Sequence, residues 1–476
     1  MTAILGGGIG GLSAAYYALE NPKLGPLIIY EASDRIGGWI KSNRSQKGIL
    51  FEKGPRTVRT HGPPGANTLR MIDDIGLTDK ILPISSKHPI AKNRLIYVDN
   101  KLHILPNSVG SFFKVKSPFK RPLITMLWND FKAPKVIKND ESIYSFVERR
   151  FGKDAADYLI SPMLCGICAG DAKKISVNFL MEALFEAEQE HGSIMKGLLK
   201  TTFNNKKNND NVFKKNNKPI NFNVNSVARS GKERWVAWGL QGGLEQLPRA
   251  LAENLLEKNV DISLLSKCEN ITFKSDHVEL NTNGDTKKFK HIISSLPSSG
   301  LSKLIEHQHP ELAKELNDIP TVNVTVVNLQ FPKNNILPIN GFGVLVPPSE
   351  KIPILGIIFD SCIYPQKTST VLTVMMGGAW FDEYFGKNSS DEFFLNTAVE
   401  HVKKMLNIKI DPTDFHVGIL NNCIPQYVVG HKDRIKRIHN YINQHGLPLS
   451  LCGSAYQGVG LNDVILSAKN AVQNIC

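Results

Sequence analysis

Long apolar runs are missing from this chain of 476 residues. No stretch of 18 apolar residues occurs, which argues against a membrane-spanning helix and leaves the surface for any membrane contact. Cysteine is sparse: seven residues cannot staple a chain of this length into a disulfide framework. Cys165 and Cys168 form one CxxC, but no second pair and no nearby histidine pair completes a zinc site, so they read as a buried or incidental pair. Zinc-finger spacing, an aromatic RNA-binding motif and internal repeats are also missing. Acidic residues are in deficit, 44 against 57 Lys and Arg, and the resulting +13 favours anionic partners. Part of that excess sits in one lysine–asparagine stretch, so no nucleic-acid partner is expected.

What is present describes a folded chain of two or three domains, with 42% hydrophobic and 21% charged residues. It opens on an apolar strand at 2–5, which leaves no room for a cleavable presequence, so any organelle address is expected to be internal. A helix from Leu12 to about Glu20 and a strand at 27–31 complete a βαβ unit. The pattern is mostly helical from 66 to 200. The segment 203–225 is polar and of low complexity and reads as a surface loop. A helix containing Pro248 follows, then strand-like runs at 291–296, 321–331, 354–360 and 370–380. The chain closes with a strand, a glycine-rich bend and a helix opened by Asn462 or Asp463.

Between the first strand and helix, Gly6, Gly8 and Gly11 fit GxGxxG. One glycine makes the turn, the next admits a pyrophosphate, and the third lets helix and strand touch. The helix start then offers free N–H groups to the phosphates. Glu31 ends the second strand 20 residues after Gly11, where its carboxylate can accept from ribose hydroxyls, as in FAD or NAD. Asp34, Arg35, Gly37 and Gly38 then resemble the (D/E)RxGG element of the GG-doublet flavoproteins, which turns the choice towards FAD and suggests phosphate-directed charge on Arg35. At the far end Gly458, Val459 and Gly460 precede a helix whose start can stabilise negative charge on a reduced flavin.

Seven stretches, GGGIGGLSAAYYALE, DRIGGWIKS, FEKGPRTVR, HPIAKNRLIYV, GFGVLVPPSE, NCIPQYVVGH and GSAYQGVGLND, together resemble the protoporphyrinogen oxidase family of eukaryotic, mitochondrial type. Amine oxidases share only the first two. The resemblance implies an α/β and α+β architecture: a Rossmann-like FAD-binding domain (1–65, 229–300 and 430–476), an inserted mixed-sheet substrate-binding domain (301–429) and a mostly helical membrane-binding domain (66–200), with a low-complexity loop at 201–228. It implies oxidation of protoporphyrinogen IX by dioxygen with release of hydrogen peroxide, the penultimate step of haem synthesis. One non-covalent FAD per chain would touch Gly6, Gly7, Gly8, Ile9, Gly10, Gly11, Glu31, Ala32, Trp39, Gly54, Pro55, Arg56, Thr57, Lys267, Ser454, Val459, Gly460 and Leu461.

For the substrate, the resemblance implies a propionate-binding Arg94, slot-lining Phe342, Gly343, Leu345, Ile358 and Met375, and Gly166, whose carbonyl would face a pyrrole N–H. No side chain is nominated as acid or base; flavin N5 is the expected reacting atom, and the protein orients and excludes. The segment 111–135 mixes Phe112, Phe113, Phe119 and Trp128 with six Lys/Arg, a composition suited to an anionic lipid interface. The resemblance further implies a homodimer, peripheral on the mitochondrial inner membrane at its intermembrane-space side, and hand-over of product to ferrochelatase. Two readings stay open beside it: another GG-doublet oxidase acting on an amine or a carotenoid, and a protein that holds FAD without chemistry.

Overall fold

The structure is a computed structural model and describes residues 1–45, 47–200, 225–386 and 389–475. A parallel sheet of five strands, in the order 261–263, 27–30, 2–5, 291–294 and 449–451, forms its nucleotide-binding half. Side chains alternate across it, as the period of two requires. Ile4, Ile29 and Ile293 face helices Ile9–Ala18, Gln246–Glu257 and Leu461–Gln473. Ala3, Leu5, Tyr30, Ile292, Leu449 and Leu451 face a three-stranded antiparallel sheet and helices Ser298–Ile305, Pro310–Asn317 and His431–Gln444. Pro248 falls in the first turn of its helix, where no intrahelical N–H is lost.

A second sheet has seven strands, in the order 414–425, 321–331, 370–378, 354–358, 343–345, 94–98 and 101–104. It is antiparallel except for 343–345 against 94–98. One face buries Val327, Leu329, Val344, Ile357, Leu372 and Val374 under helix Asp391–Leu406. Between the two halves, helices Ile124–Lys132, Ile143–Phe151, Ser161–Cys168 and Glu182–His191 gather around Phe146, Leu164 and Phe185. Arg150, wholly buried, ties this lobe together through Asp130 at 2.7 Å and the carbonyls of Ala133, Pro134 and Gly192.

Three sequence expectations meet a different arrangement. Residues 94–104, expected in the helical part, are strands of the second sheet, because Leu95 and Tyr97 bury into its core. Helices 298–305 and 310–317, expected in the substrate part, pack Leu301, Ile305, Leu312 and Leu316 beneath the nucleotide sheet. The segment expected as a loop at 201–228 lies outside the described residues as far as 224; Asn225 then caps helix Ser226–Lys232.

Candidate functional site: a dinucleotide cleft continued by an apolar sheet face

The first helix starts at Ile9, three residues before the expected Leu12, since Gly10 and Gly11 lie inside its opening turn. No side chain caps it at Gly8, so its first N–H groups are open to an anion. A Cβ on Gly11 would stand 1.9 Å from the Gly6 carbonyl oxygen, which makes glycine obligatory there. Glu31 is positioned as its carboxylate requires: Oε2 accepts from the Gly7 N–H at 2.7 Å, and Oε1 accepts from the N–H and hydroxyl of Ser33. Gly37 donates to the Gly7 carbonyl at 2.8 Å, which brings the GG doublet onto the first loop. A Cβ on Gly54 would lie 2.0 Å from the Trp39 carbonyl oxygen, so the 54–57 segment also closes in on backbone.

Arg35 departs from expectation. Its guanidinium donates to the carbonyls of Ile36, Gly38 and Ile40, so it braces the doublet instead of aiming charge at phosphate. The terminal helix also differs: it begins at Leu461 with Gly460 at its N-cap, and Asn462, expected to open it, donates to the Arg59 carbonyl at 2.8 Å. No side chain at Gly460 caps this start, but the Asp463 carboxylate in its first turn accepts from the Gly460 N–H. Ala32, Trp39, Lys267 and Gly460 are exposed; Gly6, Gly8, Gly54, Pro55, Thr57, Ser454, Val459 and Leu461 are half-buried; Gly7, Ile9, Gly10 and Arg56 are buried. Two glycine-rich helix starts whose N-cap residues carry no side chain, a carboxylate closing the second strand and Cβ-free backbone between them fit a dinucleotide flavin.

The substrate residues expected from the sequence fall on the other face of the second sheet. Register places Asn328, Thr373, Ile358, Gly343 and Arg94 in one row across five strands. Val326, Met375, Gly356, Leu345 and Ile96 form the next row of the same face. Leu345, Ile358 and Met375 stay partly exposed on this face, as does Phe342 just before strand 343–345, while the opposite face is closed; Arg94 is exposed at the end of the first row. Gly166, exposed on helix Ser161–Cys168, covers the second row, and a Cβ there would come within 2.9 Å of Leu345 Cδ2. Cys165 and Cys168 are both buried in this helix, and burial pushes the Cys168 thiol up to about 11.

A buried polar network that sequence reasoning missed joins this sheet face and the dinucleotide segment. Arg56 Nε stands 3.0 Å from Asp360 Oδ1, and Thr373 Oγ1 donates to Asp360 Oδ2 at 2.6 Å. Asn328 Nδ2 donates to the Glu52 carbonyl at 3.0 Å, and the Tyr364 hydroxyl donates to the Arg56 carbonyl at 2.7 Å. Glu52 accepts from Leu244 N–H and Ser42 Oγ, both at 2.7 Å, yet burial raises its carboxyl from 4.5 to about 7. Burial raises Asp360 as well, against the pull of Arg56. The available signal was FEKGPR, which holds Glu52 and Arg56, but nothing in the sequence pairs them with 360 or 373.

Fold and site thus define a dinucleotide-binding oxidoreductase with an attached apolar substrate sheet. The flavin containing amine oxidoreductase family matches residues 9–476. Human protoporphyrinogen oxidase is 34% identical, with 99% of this chain and 97% of that protein covered. The Schizosaccharomyces pombe protoporphyrinogen oxidase is 32% identical, at 99% and 98% coverage. A crystal structure from Exiguobacterium sp. 255-15 superposes with a TM-score of 0.79 at 23% identity, covering 100% of this chain and 98% of its own. The chain belongs to the flavin containing amine oxidoreductases and, within them, to the protoporphyrinogen oxidase family. It is a flavin-dependent oxidoreductase.

Proposed function

We propose that this protein binds one FAD non-covalently and oxidises protoporphyrinogen IX to protoporphyrin IX, three dioxygen molecules leaving as three hydrogen peroxide. The observation that carries the reading is the partly exposed face of the second sheet: its first row starts at the network that holds the 52–57 segment and ends at Arg94. A porphyrinogen is a broad apolar ring with two propionates on one side, and it needs that combination of greasy wall and rim cation. Arg94 can take a carboxylate through two parallel bonds. Phe342, Leu345, Ile358 and Met375 exclude water from the ring, and Gly166 leaves room for its carbonyl to meet a pyrrole N–H.

The dinucleotide is held by the backbone of 6–11, by Glu31 and Ala32 at the ribose, by Trp39 and 54–57, by Lys267 at the adenine end, and by Ser454 and 459–461. When bound, the flavin supplies a two-electron acceptor that dioxygen can reoxidise. The chain's share is orientation: the Arg56–Asp360 pair and the bonds of Asn328 and Tyr364 fix the 52–57 backbone to the second sheet.

Val109, Phe113, Val115 and Trp128 are 59–80% exposed on the helical lobe, among Lys114, Lys116, Lys120, Arg121 and Lys132. No helix among the described residues is long and apolar enough to cross a membrane. The mixture suits peripheral contact with anionic lipid, and a poorly soluble substrate would be collected there. This supports a peripheral place on a membrane surface; that the membrane is the mitochondrial inner one, at its intermembrane-space side, and that the protein is a homodimer passing product to ferrochelatase, we propose from the family resemblance alone. The experiment is direct: purified protein and FAD are mixed with protoporphyrinogen IX in air, and porphyrin fluorescence is followed above spontaneous autoxidation. No increase over the protein-free rate, with FAD bound, would sink the substrate assignment.

A further inference from the structure

The segment Gln426–His431 joins three parts of the molecule. It continues directly from the edge strand 414–425 of the second sheet. Backbone bonds fasten it to the helical lobe: the Tyr427 carbonyl accepts from Ser176 N–H at 2.7 Å, and Val429 N–H donates to the Lys174 carbonyl at 3.1 Å. Gly430 N–H donates to Asp140 Oδ2 at 2.9 Å. The third link is a side chain. The Tyr427 hydroxyl donates to the Ser454 carbonyl and accepts from the Gly458 N–H at 3.0 Å.

Tyr427 is buried, its ring packed in a three-ring cluster with Phe179 at 4.5 Å and His431 at 4.5 Å, Phe179 standing edge-on to His431 at 4.7 Å. His431 is wholly buried, and neither ring nitrogen finds a hydrogen-bond partner among the described residues. Burial lowers its pKa to about 4, so it is a neutral wall of the cluster. A buried phenol differs from phenylalanine only by its hydroxyl, and here both donor and acceptor go to one loop. That loop runs between Gly453 and Gly458, at φ +113° and +142°, which leaves its conformation loosely fixed by the backbone alone. Gly458 must stay bare, since a Cβ would lie 2.5 Å from the Asp463 Cβ. The helix start at Gly460 is thus set from two sides, by Asp463, whose carboxylate accepts from the Gly460 N–H, and by what closes the loop before it.

We propose that Tyr427 is a positioning residue for the cofactor: its hydroxyl closes the 454–458 turn and thereby fixes the 458–461 backbone against the flavin, while Phe179 and His431 hold the ring. The inference rests on the FAD site proposed above. In Tyr427→Phe the Ser454 carbonyl and Gly458 N–H lose their shared partner. The FAD dissociation constant rises about tenfold. The flavin midpoint potential becomes more negative, because the helix start that stabilises reduced flavin is then held from one side only, and kcat falls while KM for protoporphyrinogen is unchanged. His431→Phe, which keeps an aromatic wall, retains affinity and potential.

Titration of both variants with FAD, with potentials read against reference dyes, tests this. Wild-type affinity, potential and visible spectrum in Tyr427→Phe overturn the role, and so does a His431→Phe variant as impaired as Tyr427→Phe. If Tyr427→Phe does not fold, hydrogen exchange on the wild-type apoprotein decides. The Gly458 amide should be protected like strand 449–451, and exchange at the rate of an open loop refutes the clamp. A wild-type protein that takes up no FAD defeats the FAD reading itself, a different result from any of these.

Discussion

Glu52 offers the sharpest test of how the two halves are joined. Its carboxyl is 2% exposed, and its two acceptor bonds do not offset the loss of water, so its pKa stands at about 7 against an ordinary 4.5. A carboxyl raised on folding binds its proton more tightly in the native state. Between pH 4.5 and 7 the unfolded chain has released the proton and the native chain has not, so stability falls as pH rises through that window and is level on either side. At about 1.4 kcal/mol per pH unit, the full difference is about 3 kcal/mol.

Glu52→Gln removes it. The amide oxygen can still accept from Leu244 N–H, and the amide nitrogen can donate to Ser42 Oγ. Urea unfolding at 25 °C should show the variant more stable than wild type at pH 8, by on the order of 3 kcal/mol, and nearly equal to it at pH 4. Other groups titrate identically in both proteins and cancel in the difference. A difference that does not change with pH, or a variant weaker than wild type at pH 8, would refute the claim that Glu52 is ionised at a cost in the fold.

Gly11→Ala forces the first helix away from the Gly6 carbonyl, and flavin absorbance per protein after purification should fall to background. Arg94→Ala should raise the apparent KM for protoporphyrinogen with flavin content intact; loss of bound FAD in that variant would count against a substrate role. Replacing Phe113 and Trp128 together by Glu should cut co-sedimentation with anionic vesicles at least about tenfold, since two apolar side chains lose their burial. Leu265 is exposed at φ +52°, and Leu265→Gly should hold or raise stability by up to about 1 kcal/mol in thermal unfolding.

The nucleotide half was readable because its signals are local: a GxGxxG between strand and helix, and a carboxylate closing the second strand, each follow from neighbours in sequence. The substrate face of the second sheet was readable only through resemblance. Leu345 or Met375 alone is one more apolar residue in a strand, and only register across five strands makes a row of them. Arg35 misled because a basic residue beside a glycine doublet suits phosphate and carbonyl alike, and here the carbonyls of Ile36, Gly38 and Ile40 take its N–H groups. Residues 94–104 were misassigned because a strand paired to partners near 343 looks, from its own composition, like part of the preceding segment. The Arg56–Asp360 contact spans some three hundred positions, and no local pattern announces it.

The parallel sheet has a consequence for biogenesis. Strand 2–5 waits for 291–294 before its second edge is covered, 291–294 waits in turn for 449–451, and helix Ile9–Ala18 packs on Leu461–Gln473. Synthesis on a ribosome must therefore run almost to completion before the first-made elements find their partners, and throughout that time apolar strand edges stand uncovered. Such a polypeptide depends on chaperone shelter during translation, and prosthetic-group loading becomes a late, post-release event: a nascent chain stalled before residue 449 should be retained by holdases and carry no chromophore.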